Sequence, residues 1–158
     1  MSIIEFQKAL QKEIEKILKD VITKDPDGKQ CVGVSVYRQY LPKVEEDDED
    51  ITKYFPYAIV RIMDGLTEDD YNAWLVTVNI LLGAYDEGPD MAGDDHIMIM
   101  IQRIINRFSQ EARIAPNYTC ERSMDWALQD EDTYPYYFGG VQLKFRVPKM
   151  GRSIPKYE

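Results

Sequence analysis

From Val141 to Val147 every second residue is apolar. Val141, Leu143, Phe145 and Val147 fall on one side, and Gln142, Lys144 and Arg146 on the other. A period of two marks an extended strand with one buried and one wet face, because successive side chains of a strand point to opposite sides. A chain with such a strand must supply partner strands for its backbone and an apolar layer for one of its faces. Immediately before it stand Tyr134, Tyr136, Tyr137 and Phe138, set around Pro135 and ahead of Gly139 and Gly140. No side chain there is a good nucleophile, metal ligand or phosphate cradle. Aromatic, amphipathic surface of this kind serves contact rather than bond-breaking.

The rest of the chain supplies the partners. Residues 2–23 read as an amphipathic helix with Phe6, Leu10, Ile14, Ile17, Leu18 and Val21 on one face. Ser2 and Glu5 have capping-box spacing, and Lys8, Lys12, Glu13, Glu15 and Lys16 line the other side. A turn over 25–28 follows, then a first strand over 31–40, in which Val32, Val34 and Val36 alternate with Cys31, Gly33 and Ser35. A second strand covers 55–63 and ends at the Asp64-Gly65 turn dipeptide. A third covers 71–85, with Trp74, Val76, Val78, Ile80 and Leu82 on one face and Leu75, Thr77, Asn79 and Leu81 on the other. Asp94 or Asp95 is the expected cap of a second helix from His96 to Ala112. Ile97, Ile101, Ile104, Ile105 and Phe108 form its core stripe, widened by Met98, Ile99 and Met100. A fourth strand over 118–128 carries Arg122 on its mostly apolar side, and the aromatic run leads into the last strand. This order predicts an α+β fold: a mostly antiparallel sheet of about five strands with two helices packed on one face. It is expected as one domain, 1–158, with an acidic loop at 41–52 and a basic C-terminal tail at 148–158.

Charge narrows the function. The 158 residues suit a single core, and their net charge of −9 argues against duplex-DNA binding, which needs many cations against phosphate. Glu45, Glu46, Asp47, Asp48, Glu49 and Asp50 form an unbroken acidic run. Further acids gather at 64–70, 86–95 and 130–132, whereas Lys144, Arg146, Lys149, Arg152 and Lys156 make the end basic. Either each patch is simply solvated, or the basic end of one copy meets the acidic face of another. The second arrangement is head-to-tail and closes into a ring where the rotation allows. No apolar run reaches the roughly 20 residues of a membrane span. The N-terminus lacks the pattern of a signal peptide. Cys31 and Cys120, far apart and without metal-ligand spacing, are expected as reduced thiols of a cytosolic protein.

Catalytic candidates are weighed against plainer roles. His96 stands near Asp94 and Asp95, but a catalytic pair also needs a nucleophile and an oxyanion site; a local polar contact near the helix cap is expected instead. Asp86, Glu87, Asp90, Asp94 and Asp95 do not follow the spacing of a calcium loop, and Gly83, Gly88 and Gly93 do not form a phosphate loop. Trp74 and Trp126 are expected in the core. No catalytic, cofactor or metal residue is assigned, and no cofactor is expected.

Three blocks in order carry a resemblance: Phe55 to Gly65, Val76 to Gly88 leading into the 94–108 helix, and Tyr134 to Pro148. Together they resemble the tail terminator proteins of long-tailed bacteriophages and prophages, also described as tail completion or tail-to-head joining proteins. The likeness spans about residues 2–150; the acidic run at 45–50 has no counterpart in the family pattern. The resemblance implies a non-enzymatic α+β subunit of the virion tail, assembled in the bacterial host cytoplasm. It implies a homohexameric ring that caps the tail tube protein, stops tube growth and joins a head-tail connector protein. DNA would pass through the channel without specific binding, and no membrane is involved. Contact residues are expected among Tyr134, Tyr136, Tyr137, Phe138, Gln142, Lys144, Arg146, Lys149, Arg152, Glu45, Glu46, Asp47 and Asp48. Two other functions are open to such a chain: a head-completion or connector protein bridging portal and tail, or a small cytosolic hydrolase using paired carboxylates.

Overall fold

Three long strands organise the molecule, and the first, β4 (Tyr57–Leu66), runs beside β5 (Trp74–Tyr85), which runs beside β9 (Tyr136–Val147). A computed structural model of the chain describes residues 3–24, 28–42, 52–67, 73–89 and 92–148. Both pairings are antiparallel, and β5 and β9 stay in register over their whole length, from Trp74 opposite Val147 to Tyr85 opposite Tyr136. Around this centre, β3 (Ser35–Arg38) pairs in parallel with β4. On the far side lie β6 (Arg113–Ile114), β7 (Tyr118–Cys120) and β8 (Asp125–Leu128). The main sheet has seven strands in the order β3-β4-β5-β9-β7-β6, with β8 also on β9. A separate hairpin joins β1 (Ile22–Lys24) to β2 (Gln30–Val32).

The helices α1 (Ile3–Leu18) and α2 (Gly93–Gln110) share one face of this sheet. Phe6, Leu10, Ile14 and Leu18 from α1, and Ile97, Met100, Ile104 and Phe108 from α2, are buried in one core with Val76, Val78, Ile80, Leu82, Val141, Leu143 and Phe145. The alternation seen in the sequence therefore sorts β5 and β9 correctly. Phe6 sits at the centre, its ring 5.1 Å from Phe145 and 5.2 Å from Tyr118. The fold class is α+β as expected, with more strands than five because two of the expected strands are interrupted and because β1 and β6 fall where none was expected.

The first interruption falls at Gly33, whose φ of +93° is left-handed backbone that favours glycine. It separates β2 from β3, so the stretch read as one strand over 31–40 belongs to two sheets. The second falls after Cys120. There β7 and β8 lie along the same strand, β9; the Glu121 N–H still donates to Lys144 O at 2.7 Å, and residues 122–124 form the break between them. The helix read over 2–23 ends at Leu18, and Ile22–Lys24 is extended to meet β2. At its other end, α2 begins before the expected aspartates: Ala92 is its N-cap, and Asp94 and Asp95 lie in the first turn. Gly93 is needed there, since a Cβ would stand 1.9 Å from the Tyr137 ring.

A polar latch fixes α1 to the sheet. Gln7 Nε2 donates to Val60 O at 2.9 Å and to Gln39 Oε1 at 2.6 Å, and Gln39 Oε1 accepts the Ile62 N–H at 2.7 Å. Gln39 thus extends the edge of β4 past the end of β3 with its side chain. Arg107 performs the matching task for α2. Its Nε donates to Glu13 at 2.7 Å, and its fork also reaches the carbonyls of Glu111 and Arg113.

Candidate interaction surface

Among the described residues no α-helix covers the second face of β4, β5 and β9, and the strand registers divide that face into two zones. Towards one end lies an aromatic zone. Phe55, Tyr57, Ile59 and Tyr85 are buried there, with Tyr37, Leu41, Tyr54, Leu81, Tyr136 and Phe138 packed around them. The Phe55 ring lies 4.9 Å from Tyr57, 5.2 Å from Tyr136 and 5.9 Å from Phe138, largely edge to face. These rings lie down on the sheet because Gly83 has no side chain; a Cβ would meet the Tyr57 ring at 2.4 Å. Towards the other end lies a polar zone. Arg61, Asn79, Gln142 and Asp125 stand side by side across four strands, and Lys144 pairs with Thr77 in the next row. Gln142 Nε2 donates to Asn79 Oδ1 at 3.1 Å. Arg146 Nε meets Glu121 at 2.8 Å, and Arg61 stacks 4.7 Å above the Tyr40 ring. A depression of about 250 Å³ lined by Asn79, Leu81, Asp125, Gly140 and Gln142 lies on this face.

The expected contact residues divide accordingly. Gln142, Lys144 and Arg146 share the polar zone, and Lys144 is exposed. The aromatic run does not act as one surface. Tyr136 and Phe138 lie on the aromatic zone, half-buried, whereas Tyr137 points the other way and is buried beneath α2. Tyr134 is exposed and its hydroxyl donates to the Glu87 carbonyl at 2.5 Å. The period of two simply continues back through Gly139 and Gly140, a signal the sequence already held. Lys149, Arg152, Glu45, Glu46, Asp47 and Asp48 lie outside the described residues, as do the rest of residues 43–51 of the expected acidic loop and the rest of the basic tail beyond 148. Sequence reasoning missed Arg61, Asn79 and Asp125 as members of the polar zone. Each occupies a polar position of its strand, but only the register places them beside Gln142.

Two further clusters are charged. At the start of α2, Asp86 is buried; it accepts the Gly88 N–H at 2.7 Å and lies 3.2 Å from His96 Nε2 and 3.9 Å from Lys24 Nζ. Burial alone would push its carboxyl up, yet the Gly88, His96 and Lys24 contacts outweigh burial and hold it below the ordinary range. His96 therefore has the local polar role near the helix start, with Asp86 as its partner rather than Asp94 or Asp95. Nearby, the hydrogen bond from Tyr85 to Glu87, with burial second, pushes the phenol up to about 12. The second cluster is an acidic depression of about 310 Å³ lined by Asp94, Asp130, Glu131, Asp132 and Tyr137 among others.

Both cysteines are free thiols, and burial pushes Cys120 up to about 11, far from a reactive thiolate at neutral pH. Trp74 packs against the main core, but Trp126 does not join it as expected. It is 55% exposed, because β8 pairs only with β9 and no described strand lies outside it. Among the described residues no three His, Cys, Asp or Glu side chains are grouped to hold a metal ion, and no helix is long and apolar enough to cross a membrane.

No family model matches the chain. It is similar to Enolase 1 of Methanospirillum hungatei JF-1, at 28% identity over 100 residues. That match covers 60% of this chain and 22% of the enolase, so the chain spans about a fifth of the length of that curated relative.

Proposed function

We propose that this chain is a structural subunit of a phage or prophage tail, a tail-terminator-like protein that forms a ring on the end of the tail tube. In this role it stops tube polymerisation and offers a joint to the head connector, and it carries out no covalent step. The observation that carries the reading is the second face of the β4-β5-β9 sheet, which no α-helix of the described residues covers. It is a broad, two-zone surface of aromatic rings and hydrogen-bonding side chains, suited to docking a protein. The three sequence blocks that resemble tail terminators contribute much of it: Phe55 to Gly65, Val76 to Gly88 and Tyr134 to Pro148.

Under this reading the polar zone of Gln142, Lys144 and Arg146 contacts a neighbouring subunit or the tube. The negative charge of the acidic stretches faces either a partner's basic surface or the channel, where it repels phosphate and lets DNA pass without sticking. The small share of the enolase that is matched supplies no reason to assign an enolase reaction. Electron microscopy of purified tail tubes with and without the protein tests the proposal. Tube ends closed by a six-fold cap only when the protein is added are expected; bare ends in both samples contradict it.

A further inference from the structure

Helix α2 carries opposite charge environments at its two ends, and its own dipole explains only part of them. At its start, Asp94 joins Asp130, Glu131 and Asp132, which arrive on the separate loop between β8 and β9. No Lys or Arg lines this depression. Towards its end, Arg103 and Arg107 join Lys16 of α1 around a groove of about 420 Å³ whose one acid, Glu13, is already paired with Arg107. The macrodipole favours acids in the first turn of α2 and cations in its last. It gives no reason for three further acids to gather from a loop, or for Lys16 to be added from another helix.

Tyr137 gives the acidic depression a second, independent mark. It lines the depression, is 95% buried by its 5% exposure, and its hydroxyl has no hydrogen-bond partner among the described residues. Leaving a buried hydroxyl unpaired is costly, and a side chain that enters the depression deeply enough to reach it would relieve that cost. The described acids are not grouped to hold a metal ion. A volume of about 310 Å³ with carboxylates spread around it fits a flexible, cationic side chain.

We infer that the acidic depression receives the basic groove of a second copy of this chain, with Lys16 and Arg103 entering among Asp94, Asp130, Glu131 and Asp132. The two surfaces are complementary in charge and lie at different places on one molecule. Asp94 and Arg103 are nine residues apart on α2, about 14 Å along its axis. A contact between such patches is head-to-tail, so each subunit keeps one patch free for the next copy. This inference rests on the ring-forming reading above and names the contact that builds the ring.

The test uses the full chain on tail tubes, with two charge-reversed variants. One carries Asp130→Lys with Asp132→Lys; the other carries Lys16→Glu with Arg103→Glu. All four positions are exposed, so thermal melting is expected to stay at the wild-type value. Should a reversed variant melt early, Asp130→Asn with Asp132→Asn, or Lys16→Gln with Arg103→Gln, carries the same test. Each variant alone is expected to lose capped tube ends at least about ten-fold. Mixed in equal amounts on the tube they are expected to restore caps, since wild-type and charge-swapped contacts then alternate around an even-membered ring. Combining all four reversals in one chain is expected to restore caps. Wild-type capping by both variants would overturn this contact and leave the ring reading standing. Failure of the fourfold variant after both single-patch variants fail would also overturn it. Absence of any cap with the wild-type protein would remove the ring reading and this contact together.

Discussion

The two faces of the β4-β5-β9 sheet come from the same strands but obey different rules. The helix side is closed by aliphatic side chains and by Phe6 and Phe108, each packed on Phe145. Its role is satisfied within one molecule. The other side gathers rings with no described α-helix above them and, beside those, charged and amide groups whose bonds run along the surface. The comparison teaches where stability and recognition separate. Disturbing the first face should cost folding, and disturbing the second should cost assembly.

The largest effect is expected at the centre of the helix side. Phe6→Ala removes a fully buried ring between Phe145 and Tyr118 and should lower unfolding free energy by about 3–5 kcal/mol in a urea titration. If it costs under about 1 kcal/mol, the core is not centred there. On the second face, Gly83→Ala drives a methyl into the Tyr57 ring and should cost about 1–3 kcal/mol, with the loss visible in near-ultraviolet circular dichroism. An unchanged spectrum would mean that the aromatic zone is not packed as described.

Asp86 ties β5 to α2, and its effect depends on pH. Its folded pKa lies below the ordinary 3.8, so the charged form is favoured by folding. That contribution is full above the unfolded pKa and disappears as pH falls through the folded one. Asp86→Asn should therefore cost about 1–2 kcal/mol near neutral pH and progressively less below pH ~4. A cost that does not shrink in acid would break the assignment. The smallest effect on folding is expected for Lys144→Glu with Arg146→Glu. The Arg146–Glu121 pair is 38% exposed at both ends, and such pairs contribute about 0–1 kcal/mol. Tube capping should fall at least about ten-fold in the same variant. Intact capping and ring formation would exclude the polar zone as the contact.

Much of this division was legible in the residues. The alternation of Val76 to Leu82 and of Val141 to Val147 assigned both faces of two long strands, and the helical stripes of Phe6 to Leu18 and Ile97 to Phe108 supplied their cover. The breaks were harder. Whether Gly33 continues a strand or turns left-handed depends on which strands claim its two sides, and that is a tertiary matter. Trp126 has the composition of a core residue and is exposed because its strand lies at an edge. Tyr137 could have been separated from Tyr136 and Phe138 by carrying the period of two through the glycines. The neighbours of Gln142 could not, because Arg61 and Asn79 are joined to it only by cross-strand register.

Tail length tests the proposed terminator role most directly. With the gene deleted, electron micrographs of the lysate should show tubes that overrun the normal length and lack heads. A deletion lysate with tubes of ordinary length, or with complete infectious particles, would contradict the account.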